Sequence, residues 1–406
     1  MTARSYDTPG EADRRIVIPA LGLTQILAWG STYYLLAVLA KPIAADTGWA
    51  LPWIIGGLSL GLLIAGLVSP AVGRMIARAG GRGTLMASSA LIGVGLCGLA
   101  ASPNLPLFLA AWIVIGVGMG AGLYDAAFAT LGRLYGTSAR QAITTLTLFG
   151  GLASTACWPL SAYLVTEFGW RGACLAYAVL QILVCLPLYA RVLPVRPPDY
   201  LTPNPEAETP PHSRSTTAAD ERRSAVLFWL LAASITASSA VSATLSVHLL
   251  TVLQARDIGL AAAVALGAVV GPSQVTARAI EMLAARYHHP IWTLAASALC
   301  LAIGVGVLWA GSPILAIGLV FYGAGIGLES IARGTVPLAL FSTDRYAIIV
   351  GRLALPSLLA QASAPLAAGL LLTYWGPGAV LSVLGAIALL KVGLVAGLAV
   401  LTPRGP

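Results

Sequence analysis

Residues 106–131 read PLFLAAWIVIGVGMGAGLYDAAFATL and contain one charged residue, Asp125. A helix crosses the hydrocarbon core of a membrane in about 20 apolar residues, so this stretch is long enough to span it. Its glycines recur at alternate positions and let neighbouring helices pack closely. The stretch therefore predicts a membrane-spanning helix that carries one ionisable side chain.

The whole chain is built from stretches of this kind. Of its 406 residues, 58% are hydrophobic and 9% are charged, and the mean hydropathy is +0.86. A soluble domain carries about 25% charged residues, so this chain must be solvated mainly by lipid. This composition excludes a cytosolic enzyme, a nucleic-acid-binding protein and a secreted disulfide-rich domain. The cysteines lie inside apolar stretches without a CxxC pair, and they predict neither disulfides nor a metal site.

Counting the apolar stretches predicts an all-α integral membrane protein with about twelve transmembrane helices. The predicted spans are 17–40, 50–72, 84–102, 106–131, 142–166, 171–191, 225–252, 259–282, 290–310, 313–337, 347–374 and 377–400. They form two groups of six, which predicts an N-terminal bundle over residues 17–191 and a C-terminal bundle over residues 225–401. Residues 192–224 contain seven prolines and predict a flexible cytoplasmic linker between the bundles.

The basic residues predict the orientation of these spans, because cytoplasmic loops retain positive charge. With the N-terminus inside, 19 of the 23 lysines and arginines fall on the cytoplasmic side and Lys391 falls inside the last span. Lys41, Arg171 and Arg256 fall on the outer side. We therefore expect cytoplasmic tails at residues 1–16 and 402–406, in a multi-pass protein of the cell inner membrane. The first span lacks a cleavage site, so we expect it to be a membrane span and not a removed signal peptide.

Two short motifs recur in the two halves. Gly118-Met-Gly-Ala-Gly-Leu123 corresponds to Gly323-Ala-Gly-Ile-Gly-Leu328, and Pro159-Leu-Ser-Ala-Tyr-Leu164 corresponds to Pro365-Leu-Ala-Ala-Gly-Leu370. Both pairs are separated by almost the same number of residues. The two bundles are therefore predicted to be copies of one six-helix unit, as is common in secondary transporters.

The loop between the second and third spans carries a further motif, Gly73-Arg-Met-Ile-Ala-Arg-Ala-Gly-Gly-Arg82. Together with the six-plus-six arrangement and the central linker, it resembles the major facilitator superfamily, whose motif is G-x-x-x-D-R-x-G-R-R-like. Ala77 stands at the acidic position and Gly81 at the first arginine of the final pair. The resemblance implies a gating role for the positions that match, which are Gly73, Arg78, Gly80 and Arg82.

Enzyme motifs are missing from the sequence. It contains no G-x-x-x-x-G-K-[ST] and no H-E-x-x-H. We therefore predict that the protein is not an enzyme, needs no metal or cofactor, and draws on an ion or solute gradient.

Ionisable residues inside spans are costly in a membrane and mark functional positions. Asp125 and Glu329 follow the repeated glycine motif at nearly equivalent places, and they are candidates for proton coupling. The alternative is a gate of fixed ion pairs with arginines near the cytoplasmic face, such as Arg133, Arg333 or Arg352. Lys391 is expected to extend its side chain to the inner membrane surface.

Polar side chains of several spans are candidates for substrate binding. Gln25, Trp29 and Tyr33 share one helix face, where they serve either a solute or contacts between helices. The other candidates are Tyr124, Gln274, Glu329 and Gln361. Arg278 and Glu281 are expected to pair as part of a gate, and Arg333 and Arg352 are further gating candidates.

These features predict a secondary active transporter that moves a small organic solute by rocking its two bundles. Because no lysine or arginine is placed at mid-membrane, the sequence favours a neutral, cationic or amphipathic small molecule and proton-coupled export. One alternative is uptake of small monocarboxylate-like organic acids, and another is a membrane sensor that does not transport. A channel is disfavoured because no ring of charges is visible. The predicted partners are the solute, protons and the lipid bilayer, without nucleic acid, and the protein is expected to be a monomer.

Overall fold

A computed structural model describes residues 14–195, 218–311 and 314–402, and in these ranges every regular element is helical. Most of the predicted N-terminal tail and linker, and residues 403–406 of the C-terminal tail, lie outside the described residues. We call residues 14–195 the first half and residues 218–402 the second half.

The first half contains nine α-helices in chain order. These are α1 Arg14–Ser31, α2 Leu35–Thr47, α3 Leu51–Ala79, α4 Gly81–Ala101, α5 Leu105–Gly122, α6 Tyr124–Tyr135, α7 Ala139–Gly151, α8 Ala153–Leu180 and α9 Leu186–Val192. A π-helical turn at Gln181–Cys185 joins α8 to α9. The Gln181 side chain in this turn donates to the Ser31 hydroxyl at 2.9 Å and ties the last span of the half to its first.

The described part of the second half contains six α-helices. These are α10 Ala218–Gln254, α11 Leu260–Ala268, α12 Val270–Ala284, α13 Pro290–Ala310, α14 Leu315–Leu340 and α15 Thr343–Leu401.

These helices make twelve membrane crossings. Nine helical stretches of the described residues are long and apolar enough to span a membrane, and two of them are too long for one crossing. Leu105–Val192 has 88 residues and turns back at Gly136 and Gly169, and Thr343–Leu401 has 59 residues and turns at Gly376. The former therefore crosses three times and the latter twice. The predicted all-α membrane fold with twelve spans is confirmed.

Equivalent turns and contacts recur in the two halves. Gly169 has φ 69° and ψ 175°, and Gly376 has φ 76° and ψ 179°. Gly169 joins the fifth span to the sixth, and Gly376 joins the eleventh span to the twelfth. Ser88 donates to the Gly118 carbonyl at 2.7 Å, and Ser297 donates to the Gly325 carbonyl at 2.9 Å. These matched details agree with two copies of one six-helix unit.

Both ends of the described chain lie on the same face of the bundle. The Arg14 guanidinium lies over the Tyr135 ring at 4.8 Å, and Arg223 donates to the Leu401 carbonyl at 2.6 Å. We call this the termini face. The turn at Gly169 lies on the opposite face, where Trp170 donates to the Asp46 carboxylate at 2.9 Å.

The two halves touch backbone to backbone near the termini face. A Cβ atom added to Gly73 of α3 would lie 2.5 Å from the Ala347 carbonyl oxygen of α15. One added to Gly351 would lie 2.6 Å from the Ser69 carbonyl oxygen. Only glycine permits so close a crossing at these two positions, so α3 and α15 form a tight contact between the halves.

Substitution of the Gly376 turn tests its backbone requirement. Gly376→Ala places a Cβ in a conformation that L-residues avoid, and we expect a loss of about 1–3 kcal/mol in the free energy of unfolding. Gly378→Ala is the matched control, since it lies two residues further on, in the helix, with nothing within 4 Å of an added Cβ. Thermal unfolding in detergent measures both variants. Equal midpoints would contradict the assigned turn.

Candidate functional site

A central cavity lies between the two halves and has a volume of about 50 Å³. Both halves contribute to its walls. The lining residues are Trp29, Leu62, Ala65, Ser69, Met119, Gly120, Leu123, Tyr124 and Asp125 of the first half, and Arg333, Leu358 and Gln361 of the second half.

A break in the fourth span positions two of these residues. Helix α5 ends at Gly122, and Leu123 has extended backbone angles of φ −76° and ψ −169° before α6 begins. Tyr124 and Asp125 therefore lie in the first turn of a new helix. The unpaired N–H groups and the dipole at a helix N-terminus favour a carboxylate there.

The Asp125 carboxylate forms an ion pair across the two halves. Its Oδ1 accepts from Arg333 Nε at 2.8 Å and its Oδ2 accepts from Arg333 Nη2 at 2.7 Å. Both side chains are about 15% exposed or less, so the pair is largely withdrawn from solvent. Two parallel, charge-assisted hydrogen bonds make a strong and directional contact. The Arg333 partner named in the ion-pair alternative is the one found in this structure, and proton coupling by Asp125 stays a prediction.

Aromatic rings form one wall of the cavity. The Trp29 ring lies 5.1 Å from the Tyr124 ring and 5.3 Å from the Tyr33 ring, between ring centroids. Tyr124 in turn stacks on Phe128 at 5.1 Å. The Trp29 indole nitrogen is buried without a hydrogen-bond partner. This wall offers an apolar surface together with a donor that no described side chain uses.

The three predicted glutamines lie in different surroundings. Gln25 is fully buried and donates to the Gly122 carbonyl at 2.7 Å, so its amide joins the first and fourth spans. Gln361 lines the cavity. Gln274 lies on α12, with its Oε1 3.5 Å from Arg278 Nη2.

The expected Arg278–Glu281 pair is absent from the described residues, so that prediction was wrong. Glu281 accepts from the Thr293 hydroxyl at 2.6 Å and lies 3.4 Å from His288. Arg278 turns towards the first half and donates to the Thr147 carbonyl at 3.0 Å. The two side chains follow different neighbours, since Glu281 reaches Thr293 of α13 and Arg278 reaches Thr147 of α7.

Lys391 is not at the membrane surface, and this prediction was also wrong. Its side chain is fully buried, and Nζ donates to Glu329 Oε2 at 2.6 Å and to Ser238 and Ser297 at 3.1 Å each. Ten residues separate Lys391 from Leu401, or about 15 Å of helix, which exceeds the reach of a lysine side chain. Glu329 therefore faces the interior of the second half and does not line the central cavity.

The remaining gating candidates differ in their contacts. Gly73 contacts α15 of the other half, and Gly80 makes the turn between α3 and α4 with φ 80°. Arg82 is partly buried, whereas Arg78 and Arg352 are exposed. The structure thus brings Gly73 and Arg333 of this set to the contact between the halves.

Sequence reasoning missed a second cross-half contact at the termini face. Arg140 of α7 donates to the His288 carbonyl at 2.8 Å and lies 3.9 Å from Glu281. Burial and the nearby Arg140 charge lower the pKa of His289. In the sequence, Arg140 cannot be distinguished from the other arginines of cytoplasmic loops. Its acceptor is a backbone carbonyl, which every residue type carries, so the sequence does not identify it.

Comparison with known proteins identifies the family. A sequence profile of the Major Facilitator Superfamily matches residues 21–289. The chain belongs to the major facilitator superfamily. It is therefore a membrane transport protein, and no curated protein sequence matches it.

Solved structures of the superfamily share its fold. The human organic anion transporter MFSD10 (TETRAN) has a TM-score of 0.72 and 18% identity, over 94% of this chain and 99% of that one. FucP in the outward conformation, a fucose:proton symporter of E. coli, has a TM-score of 0.71 and 14% identity. The match covers 96% of this chain and 100% of FucP. The proton:xylose symporter XylE bound to 6-bromo-6-deoxy-D-glucose has a TM-score of 0.70 and 11% identity, and the match covers 95% of each chain.

A double-mutant cycle tests the buried Lys391–Glu329 pair. Glu329→Gln or Lys391→Met alone leaves one buried charge uncompensated, and each is expected to cost about 3–5 kcal/mol in the free energy of unfolding. The double variant removes both charges and should recover most of that loss. The control is Lys41→Met, at an exposed lysine. Thermal unfolding in detergent gives the four values, and additive losses would show that the two charges do not interact.

Proposed function

We propose that this superfamily member is a secondary active transporter that carries a small organic solute by alternating access. The observation that carries the proposal is the central cavity, lined by both halves, with the Asp125–Arg333 pair in its wall. A site between two six-helix units becomes accessible from each side in turn when the units rock about it.

The contacts near the termini face support an outward-facing assignment. Gly73 packs on Ala347, Asp125 pairs with Arg333, and Arg140 bonds to the His288 carbonyl. The excess of arginine on this face favours the cytoplasmic side of an inner membrane for both termini. In this proposal, the cytoplasmic entrance is closed and must open for the transport cycle to proceed.

Proton coupling is proposed at Asp125, and also at Glu329. A proton on Asp125 removes the negative charge that holds Arg333, and so weakens a contact between the halves. A proton on Glu329 has the same effect on Lys391 within the second half. In each case the proton changes the pairing of a buried cation, which links protonation to helix movement.

The direction of transport has two candidate answers. The sequence favours proton-coupled export because it places no basic residue at mid-membrane, but Arg278 and Lys391 are buried inside the bundle, which removes that reason. Arg278 favours the second candidate, uptake of small organic acids. The sensor alternative predicts solute binding without flux.

Flux measurements in proteoliposomes test the coupling proposal. A thermal-shift screen of organic acids, neutral metabolites and lipophilic cations at two pH values supplies the solute, since a ligand at 100 times its Kd stabilises a protein by about 2.7 kcal/mol. Asp125→Asn and Glu329→Gln are each expected to abolish flux driven by a proton gradient and to retain counterflow exchange, which needs no net proton movement.

Asp344→Asn, at an exposed carboxylate of the termini face, is the control and should keep both activities. Full gradient-driven flux in both Asp125→Asn and Glu329→Gln would refute the coupling assignment. Solute binding without counterflow in the unaltered protein would refute the transporter proposal and favour the sensor.

A further inference from the structure

Arg278 is a buried cation whose contacts are all neutral. Its side chain lies between α7 and α14, and the residue is 5% exposed. Its guanidinium donates to the Thr147 carbonyl at 3.0 Å and to the Gly327 carbonyl at 3.4 Å, and it lies 3.5 Å from Gln274 Oε1. Within the described ranges, no carboxylate oxygen lies within 4.0 Å of it.

Two other cations inside the bundle have a carboxylate partner. Arg333 pairs with Asp125, and Lys391 pairs with Glu329. Carbonyl oxygens compensate only part of the cost of burying a full charge. Arg278 does not itself line the cavity, but it shares the Thr147 carbonyl with Tyr124, which does. The formal charges of Arg278, Arg333 and Asp125 leave one positive charge in this region, a deficit of negative charge that a ligand can fill.

The first half makes space for the Arg278 guanidinium. A Cβ atom added to Gly151 at the end of α7 would lie 2.5 Å from Arg278 Nη1, and one added to Gly150 would collide with the Tyr124 hydroxyl. The Tyr124 hydroxyl and Arg278 Nη1 donate to the same carbonyl oxygen, that of Thr147, at 3.3 Å and 3.0 Å. Because Gly150 and Gly151 have no side chains, the Tyr124 hydroxyl and the Arg278 guanidinium can both reach the Thr147 carbonyl between the halves.

We propose that Arg278 and the Tyr124 hydroxyl bind the carboxylate of a small organic anion, so that the transported solute is an organic acid. This inference rests on the proposed transporter function and names its substrate class. A guanidinium binds a carboxylate through two parallel hydrogen bonds. The Trp29 and Tyr124 rings supply the apolar surface for the remainder of the solute.

This arrangement also connects binding to movement. The Thr147 carbonyl belongs to the first half, whereas Arg278 belongs to the second. A carboxylate that takes Nη1 and the Tyr124 hydroxyl as donors replaces the Thr147 carbonyl as their acceptor. Binding of the anion therefore removes a hydrogen bond that joins α7 to α12.

The test compares acids with their uncharged amides on the purified full-length protein. Acetate, lactate, benzoate and phenylacetate are each measured beside the corresponding amide by thermal shift in detergent. We expect at least one acid to raise the unfolding temperature while its amide does not. Arg278→Gln should weaken binding of that acid by about 10- to 100-fold, the value of a hydrogen-bonded charge pair.

Two further variants separate binding from folding. Arg278→Lys keeps the charge without the planar fork and should bind the acid more weakly than the unaltered protein but more tightly than Arg278→Gln. Arg345→Gln, at an exposed arginine near the start of α15, should bind as the unaltered protein does. Three outcomes overturn the proposal: equal shifts with acid and amide, an undiminished shift in Arg278→Gln, or no shift with any of the acids.

Counterflow assays distinguish this failure from failure of the proposed function. Counterflow of a neutral or cationic solute, without competition by the acids, would leave the transporter proposal standing and refute the assignment of Arg278. Counterflow of none of the screened solutes, despite acid binding that depends on Arg278, would refute transport and retain the anion site.

Discussion

A charged side chain inside a bundle of apolar helices has to find its counter-charge within the protein, because lipid supplies none. Asp125 and Arg333 meet this requirement across the two halves, with two hydrogen bonds of 2.8 and 2.7 Å. The pair therefore fixes α6 against α14, beneath a cavity that both halves line. Its strength depends on both charges, so a proton or a ligand that alters one of them acts directly on the contact between the halves.

The same requirement distinguishes Lys391, Arg333 and Arg278. Lys391 meets it within the second half through Glu329 and two serines, and so holds four spans of that half together. Arg333 meets it between the halves. Arg278 meets it only in part, through neutral oxygens, beside an aromatic wall and a pair of glycines. One constraint thus accounts for a structural pair within one half, a pair between the halves that we propose opens, and the proposed anion site.

The sequence predicted the fold well, because apolar length and the repeated glycine motifs report directly on membrane crossing and helix packing. Four of the residues that it offered as candidates, Trp29, Tyr124, Asp125 and Gln361, line the same cavity. It failed where partners come from distant spans: Lys391 meets Glu329 across 62 residues, and Arg278 meets a backbone carbonyl 131 residues away. Helix spacing reveals which residues share a face, but not which face meets which across the bundle.

The most direct test of the account measures distances between the halves. Spin labels at Thr137→Cys and Ser342→Cys report on the termini face, and labels at Lys41→Cys and Gln254→Cys report on the opposite face, with native cysteines replaced. The account predicts that Asp125→Asn lengthens the termini-face distance and shortens the opposite one. Unchanged distances in both pairs would contradict the central claim that the Asp125–Arg333 pair holds the termini face closed.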